Sequence, residues 1–122
     1  MHVRRCDPAT AEPVKMAGAE GVRMQVMAGR SDGMPNFSMR HFVVEPGGCT
    51  PHHSHPYEHE VYVIEGGLEA TCGEVTESLS AGDVIYVPSG QIHQFVNTSN
   101  HPARFLCMVP LESDCGADVP GS

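Results

Sequence analysis

The sequence predicts a single all-β domain, folded as a sandwich or barrel of about eight to ten short strands. Thirteen glycines and ten prolines interrupt the chain of 122 residues at short intervals, and both residue types end regular elements. Between these breaks, short runs rich in β-branched and aromatic residues recur, whereas helical periodicity is hard to find. A chain of this length encloses one hydrophobic core and leaves no room for a second.

The elements follow in order from an N-terminal arm to a C-terminal tail. Residues 1–12 show no clear pattern and are expected to form the arm, residues 13–112 the barrel, and the polar residues 113–122 a flexible tail. Two short strand-like pieces lie between Val14 and Met27 and are separated by glycines. The strands predicted after them are Phe37–Val44, His59–Ile64, Leu68–Cys72, Val75–Leu79, Val84–Val87, His93–Val96 and Arg104–Val109.

Glycine and proline also predict how neighbouring strands end and connect. The sequence Pro46-Gly47-Gly48 is expected to stop the strand that begins at Phe37. Gly66 and Gly67 predict a tight hairpin between the next two strands, because two residues free to adopt positive φ angles fit a two-residue turn. Gly73 predicts a second turn.

The charge balance argues against two classes of partner. Fifteen acidic and seven basic residues give a net charge of −8. Nucleic acids and anionic membranes select clusters of lysine and arginine, so neither is expected as the main partner. The longest apolar run, Phe105–Val109, is far too short to span a bilayer, and the first residues lack the apolar stretch of a signal peptide. We therefore expect a cytoplasmic protein, whose five cysteines are reduced thiols.

Histidines are concentrated in one short segment. Four of the eight lie between positions 52 and 59, and imidazole is a ligand for manganese, iron, nickel, copper and zinc. Residues two apart in an extended segment share a face, so His53, His55 and His59 are expected to face one way and Glu60 the other. A turn or bulge at Pro56 would shift this register by one residue.

A second segment, from Gly82 to Asn97, adds His93 to this set. Together the two segments resemble the paired motifs of the cupin superfamily, over about residues 37–110. The second motif matches at Gly82, Pro88, Gly90, His93 and Asn97, and the first matches at Gly47, His53, His55, Glu60 and Gly67. The resemblance implies a small single-domain conserved-barrel cupin with a jelly-roll fold, in which these histidines and the acidic residue hold a metal.

The first motif aligns in two ways that give different ligands. Counting back from Gly67 places Glu60 in the acidic ligand position, whereas counting back from Gly66 places His59 there. Strand alternation favours His59, and the segment is similar to small cupins in which a fourth histidine replaces the glutamate. We therefore predict a metal site formed by His53, His55, His59 and His93, with Glu60 as the alternative fourth ligand.

The resemblance further implies one divalent transition metal for each chain, manganese or iron first, with nickel, copper, zinc or cobalt also compatible. Four neutral imidazoles would leave a net charge of about +2 at the site, against about +1 with a glutamate ligand, which favours an anionic or enolate oxygen and resists oxidation of the metal. An octahedral ion would keep two positions open. A homodimer is also expected, in which the strands between Val14 and Met27 are exchanged with a neighbouring subunit to cover edge strands.

The function predicted first is that of a metal-dependent enzyme, an oxidoreductase of the dioxygenase type that cleaves a small, oxygen-rich and anionic substrate. A lyase similar to oxalate decarboxylase is the second expectation, and a non-catalytic cupin that binds a small ligand or a metal is the alternative of a different class. Candidate pocket residues are Arg40, through its fork of donors, and Phe105 with Cys107, which share a strand face.

Overall fold

The computed structural model describes residues 1–111, so the tail predicted at 113–122 lies outside the described residues. These residues form nine strands and two short 3₁₀ turns, with no α-helix among them, which confirms the predicted all-β class. The strands are β1 (Glu12–Pro13), β2 (Glu20–Ala28), β3 (Phe37–Cys49), β4 (His59–Glu65), β5 (Gly67–Cys72), β6 (Val75–Ser80), β7 (Val84–Val87), β8 (His93–Val96) and β9 (Ala103–Pro110).

The nine strands belong to one sheet that curls into a half-barrel. Seven of them lie in the order β6-β5-β8-β3-β9-β4-β7, with β2 attached to β3 and β1 attached to β2. The first part of β3 pairs antiparallel with β9, from Phe37 opposite Pro110 to Val44 opposite Ala103. The end of β3 pairs with β8 instead, through Cys49 opposite Val96. Strand β3 therefore joins the two halves of the barrel.

Strand β3 is longer than the sequence predicts, because Pro46 does not end it. Next to this proline, Gly47 adopts a φ of 79° and donates its N–H to Asn97 O at 2.9 Å. The register of β2 against β3 shifts at the same place, so the strand bends and exchanges one partner for the other. Pro46 is exposed at this irregularity, where its missing N–H costs no ladder hydrogen bond.

The hairpin predicted at Gly66 and Gly67 is wrong, since β4 and β5 do not pair with each other. Strand β4 pairs with β7 and β9, and strand β5 with β6 and β8. Gly66 has a φ of 77°, and a Cβ atom there would lie 2.6 Å from Pro102 O. The two glycines thus form a corner at which the chain crosses between the halves of the barrel. The turn predicted at Gly73 does form a hairpin, between β5 and β6.

Aromatic rings fill the centre of the barrel. Phe42, Phe95 and Phe105 are fully buried, with ring centroids 5.0 Å apart for Phe42 and Phe105 and 5.4 Å apart for Phe95 and Phe105. Buried valine, leucine and alanine side chains surround them. The barrel interior is therefore a packed core, and it leaves the histidine-bearing end of the barrel as the place for a binding site.

The N-terminal residues lie along the outside of β2, β3 and β9. Arg4 forms an ion pair with Asp32 at 2.6 Å, and Arg104 Nη2 donates to Cys6 Sγ at 3.7 Å. Within the single chain, β2 pairs with β3 of the same chain, and the strand-exchanged dimer stays a prediction. Within residues 1–111 no helix has the length and apolar character that crossing a membrane requires.

His41 is fully buried, on the face of β3 opposite to Arg40. Its Nε2 accepts a hydrogen bond from Arg104 Nε at 3.0 Å. Burial, together with the positive charges of Arg104 and Arg23, lowers the pKa of His41 from 6.5 to about 4. This histidine is therefore a neutral structural residue, remote from the other four that the sequence groups together.

Candidate metal centre

Backbone pairing brings His53 and His93 side by side. His53 N donates to His93 O at 3.2 Å, and His93 N donates to His53 O at 2.9 Å. Two residues further along β8, Phe95 N donates to Thr50 Oγ1 at 2.8 Å, which extends the same alignment. The imidazole centroids of the two histidines are 5.0 Å apart. The segment before β4 is thus fixed against β8, although it is not itself a regular strand.

His55 is held by the bend that follows it. Its ring stacks on Tyr57 with centroids 3.9 Å apart and an interplanar angle of 9°. Its Nδ1 donates to Tyr57 O at 3.0 Å, and its own carbonyl accepts the N–H of Gly90 at 2.8 Å. Pro56 therefore contributes a bend without turning His59 away from the other histidines.

His59 begins β4 and is fully buried. Its Nε2 lies 3.2 Å from His93 Nε2. Glu60, the alternative fourth ligand, follows it on the opposite face of β4, beside Met108 and Tyr86 of the flanking strands. Burial and the neighbouring Glu58 raise the pKa of Glu60. The structure thus brings His59, and not Glu60, next to His55 and His93.

The four imidazoles form one compact cluster. Five of their six ring pairs have centroids between 4.7 and 5.1 Å apart. His53, His55 and His93 each offer a ring nitrogen within 4.8 Å of the others, a set able to hold a metal ion. His59 and His93 are buried, whereas His53 and His55 are half-buried. The cluster is therefore closed by the barrel on one side and accessible past His53 and His55 on the other.

The hydrogen bonds of these rings fit a bound cation. His55 and His93 donate their Nδ1–H groups to carbonyl oxygens, of Tyr57 and Gln91, which can only accept. Each neutral ring therefore keeps a lone pair on Nε2, and the buried Nε2 of His55 has no hydrogen-bond partner. Two nitrogens bound to one ion at about 2.0–2.1 Å lie about 3 Å apart, close to the 3.2 Å between the Nε2 atoms of His59 and His93.

Burial keeps two of these rings in the neutral form that binds metals. It is the main cause that lowers the pKa of His55 from 6.5 to about 4, against the opposing hydrogen bond to Tyr57 O. It also lowers the pKa of His59 to about 2, with further contributions from His93 and His55. A metal ligand must be deprotonated, so neither ring has to lose a proton near neutral pH.

The three pocket candidates of the sequence all point into the barrel, at different depths. Arg40 and Cys107 are buried directly opposite each other on β3 and β9, and Arg40 Nη2 donates to Cys107 Sγ at 3.8 Å. The Cys107 sulfur lies 3.1 Å from His59 Nδ1. Phe105 packs deeper, against Phe42. Arg40 and Cys107 therefore border the histidine cluster, and Phe105 belongs to the core beneath it.

Phe95 is a buried aromatic ring beside the cluster that the sequence analysis did not single out. Its centroid lies 6.4 Å from that of His59 and 6.3 Å from that of His93. Strand alternation could have found it, because Phe95 lies two residues after His93 on the same face of β8. The contact of Tyr57 with His55 depends on the bend at Pro56 and had no such signal.

Comparison with known proteins identifies the family. A family model described as a cupin domain matches residues 40–109, which is more than half of the chain. The chain is a cupin. This finding, with the curled all-β sheet, confirms the family and the fold that the paired histidine motifs predicted.

Proteins similar to this cupin carry names of different kinds. Germin-like protein subfamily 2 member 1 of Arabidopsis thaliana is 36% identical over a match to 63% of this chain and 40% of its own length. The polyketide synthase CurC of Streptomyces cyaneus is 29% identical, over 87% of this chain and 68% of its own. The chain therefore spans well under half of the germin-like relative.

The structure of the polyketide cyclase RemF from Streptomyces resistomycificus is similar to this cupin along most of both chains. The TM-score is 0.81 and the sequence identity 32%, over 90% of this chain and 80% of RemF. The similarity therefore extends beyond the shared barrel to the sequence.

Proposed function

We propose that this cupin is a metal-dependent enzyme that acts on a small, enolisable polycarbonyl compound, with a divalent ion held by His53, His55, His59 and His93. The observation that supports the proposal is the convergence of four imidazoles whose accessible side faces solvent. When bound, such an ion supplies Lewis acidity to carbonyl and enolate oxygens. Manganese and iron stay the first expectations for its identity.

The residues of the chain favour an anionic oxygen at this site. None of the four imidazoles neutralises the charge of the ion, so the site keeps a charge of about +2 in a region of low dielectric constant. Arg40 adds a guanidinium that is buried beside Cys107. A substrate that approaches past His53 and His55 therefore meets a positive potential, which stabilises an enolate more than a neutral ketone.

The apolar wall of the barrel separates this potential from bulk water. Phe95 lies behind His59 and His93, and the buried side chains of the core continue beneath it. Enolate chemistry benefits from such exclusion, because water competes for the same oxygens and lowers the electrostatic stabilisation. A substrate can therefore reach the site only from the open side, past His53 and His55.

The reaction we favour is carbon–carbon bond formation within one polycarbonyl chain. An enolate carbon attacks a ketone carbon of the same molecule and closes the ring, and the ketone oxygen takes up the proton that enolate formation released. The new hydroxyl and a neighbouring α-hydrogen then leave as one water, which leaves a carbon–carbon double bond in the ring. The similarity to the polyketide cyclase RemF and to CurC supports this choice, as does a neutral ligand set that resists oxidation of the metal. Oxidative cleavage with dioxygen, predicted from the sequence, is the second candidate, since it starts from the same enolate.

A direct test uses protein purified without a histidine tag. Its metal content is measured first, and it is then incubated with a linear triketone while dioxygen uptake and product masses are recorded. Retained metal and loss of one water from the triketone, without dioxygen uptake, is the expected result. Dioxygen uptake with shorter products would replace cyclisation by oxidative cleavage. A metal-loaded protein that neither converts the triketone nor takes up dioxygen would be a binding module. Failure to bind any divalent ion would refute the proposal.

A further inference from the structure

Cys107 stands out as the side chain that contacts a histidine of the cluster from inside the barrel. It is fully buried, and its Sγ atom lies 3.1 Å from His59 Nδ1 across a sequence separation of 48 residues. His55 and His93 direct the corresponding Nδ1 atoms to backbone carbonyls. A carbonyl oxygen is present whatever the side chain, whereas the partner of His59 depends on the residue at position 107.

A neutral His59 has two tautomers, with its proton on Nδ1 or on Nε2. On Nδ1 it faces the sulfur of Cys107, and on Nε2 it faces His93 Nε2 at 3.2 Å. The second arrangement would form a hydrogen bond to the lone pair of His93, and it would occupy the nitrogen that points to the centre of the cluster. The two tautomers therefore differ in whether His59 is ready to act as a ligand.

The surroundings of the sulfur favour the first arrangement. Arg40 Nη2, which can only donate, also approaches Cys107 Sγ, at 3.8 Å. The sulfur thus already acts as a hydrogen-bond acceptor in a buried site, where an imidazole N–H adds a second donor. A thiol sulfur can accept from two donors at once, so the contact with Arg40 leaves it able to accept the imidazole N–H as well.

We propose that Cys107 is a positioning residue, whose sulfur accepts the Nδ1–H of His59 and so keeps His59 Nε2 free to bind the metal. The inference rests on the proposed metal site and adds to it the residue that fixes the tautomer of the fourth ligand. Partners of this kind orient metal-bound histidines, and their loss typically weakens metal binding about 10- to 100-fold.

The test compares Cys107→Val, which removes the acceptor, with Cys107→Ser, which keeps one. Long-range proton–nitrogen NMR spectra of the metal-free proteins at neutral pH report which nitrogen of His59 is protonated. We expect the Nδ1–H tautomer in the unchanged protein and in Cys107→Ser. In Cys107→Val we expect the Nε2–H tautomer, because His93 is then the remaining acceptor. Zinc affinity, measured by competition with a coloured chelator, should fall about 10- to 100-fold in Cys107→Val and by less than threefold in Cys107→Ser.

Two further variants separate positioning from packing. Cys107→Ala, which is smaller, should reproduce the tautomer change if Cys107→Val fails to fold. Val44→Ala removes two methyl groups, more than Cys107→Ala removes, from the core four residues along β3 from Arg40, and it should change neither the tautomer nor the affinity. An Nε2–H tautomer in the unchanged protein, or unaltered zinc affinity in both Cys107→Val and Cys107→Ala, would overturn the inference. Failure of the unchanged protein to bind zinc or any other divalent ion would instead refute the proposed function, whatever the NMR spectra show.

Discussion

Replacement of His59 by alanine tests the proposed ligand set most directly, because the alternative ligand is its neighbour. His59 Nε2 lies 3.2 Å from His93 Nε2, while Glu60 lies on the other face of β4 beside Met108 and Tyr86. We expect His59→Ala to lose most of its metal and Glu60→Ala to keep it. The two residues are adjacent in the chain, but their side chains lie on opposite faces of the sheet.

The size of the effect follows from the number of ligands. Four-ligand zinc sites have apparent binding free energies of about 10–16 kcal/mol, so an average ligand contributes about 2.5–4 kcal/mol. At 1.4 kcal/mol for each factor of ten, this corresponds to a decrease in affinity of about 60- to 700-fold. Glu60→Ala removes a group from the outer face and is expected to change the affinity by less than threefold.

The assay needs metal content and affinity, measured on untagged protein. Metal analysis of the purified variants gives the occupancy, and competition with a chelator gives the affinity for one chosen ion. Thermal unfolding of the metal-free variants serves as the control, since a loss of metal has meaning only in a folded barrel. Full metal content in His59→Ala together with metal loss in Glu60→Ala would show that the four-histidine assignment is wrong.

Three further predictions concern stability. Because the pKa of His41 is lowered from 6.5 to about 4, the unfolded chain takes up a proton below pH 6.5 that the folded protein does not. The free energy of unfolding, measured by urea titration, should therefore fall as the pH decreases from 6.5 to 4. The fall should be steeper in the unchanged protein than in His41→Gln, by up to about 1.4 kcal/mol per pH unit. Equal slopes in the two proteins would contradict this prediction. Phe105→Ala, at the fully buried centre of the core, should cost about 3–5 kcal/mol in the same titrations, and a loss below 1 kcal/mol would contradict the packing described. Divalent metal at 100 times its dissociation constant should add about 2.7 kcal/mol to the unfolding free energy, of which His59→Ala should keep no more than about 0.6 kcal/mol at the same metal concentration.

The sequence predicts those parts of the molecule that local signals determine. The bounds of β7 and β8 agree with the prediction to the residue, since Gly82 and Pro88 bound β7, and the turn at Pro88-Ser89-Gly90 and the polar loop from Asn97 bound β8. Strand alternation, together with the resemblance to small cupins, grouped His59 with His53 and His55 despite the proline between them. The fold class follows for the same reason, because short strands and frequent turns are properties of neighbouring residues.

Features that depend on distant partners were predicted poorly. The glycines at positions 66 and 67 suit a hairpin equally well, and only the pairing of β4 with β9 shows that they form a corner. Pro46 stops a regular strand, but not one that exchanges partners at that point. The contact of Cys107 with His59 joins residues 48 positions apart, so no local pattern could reveal that this thiol supports a ligand.

The backbone bridge between His53 and His93 has a consequence for how the protein acquires its ion. The histidines that meet there come from segments with β4, β5, β6 and β7 between them. During synthesis the coordinating set is incomplete until β8 has emerged, so the four-histidine site can form only after residue 93 has been made. Once bound, the ion ties the ends of that long loop together, so it should stabilise the folded barrel in addition to the strand pairing that already closes the loop.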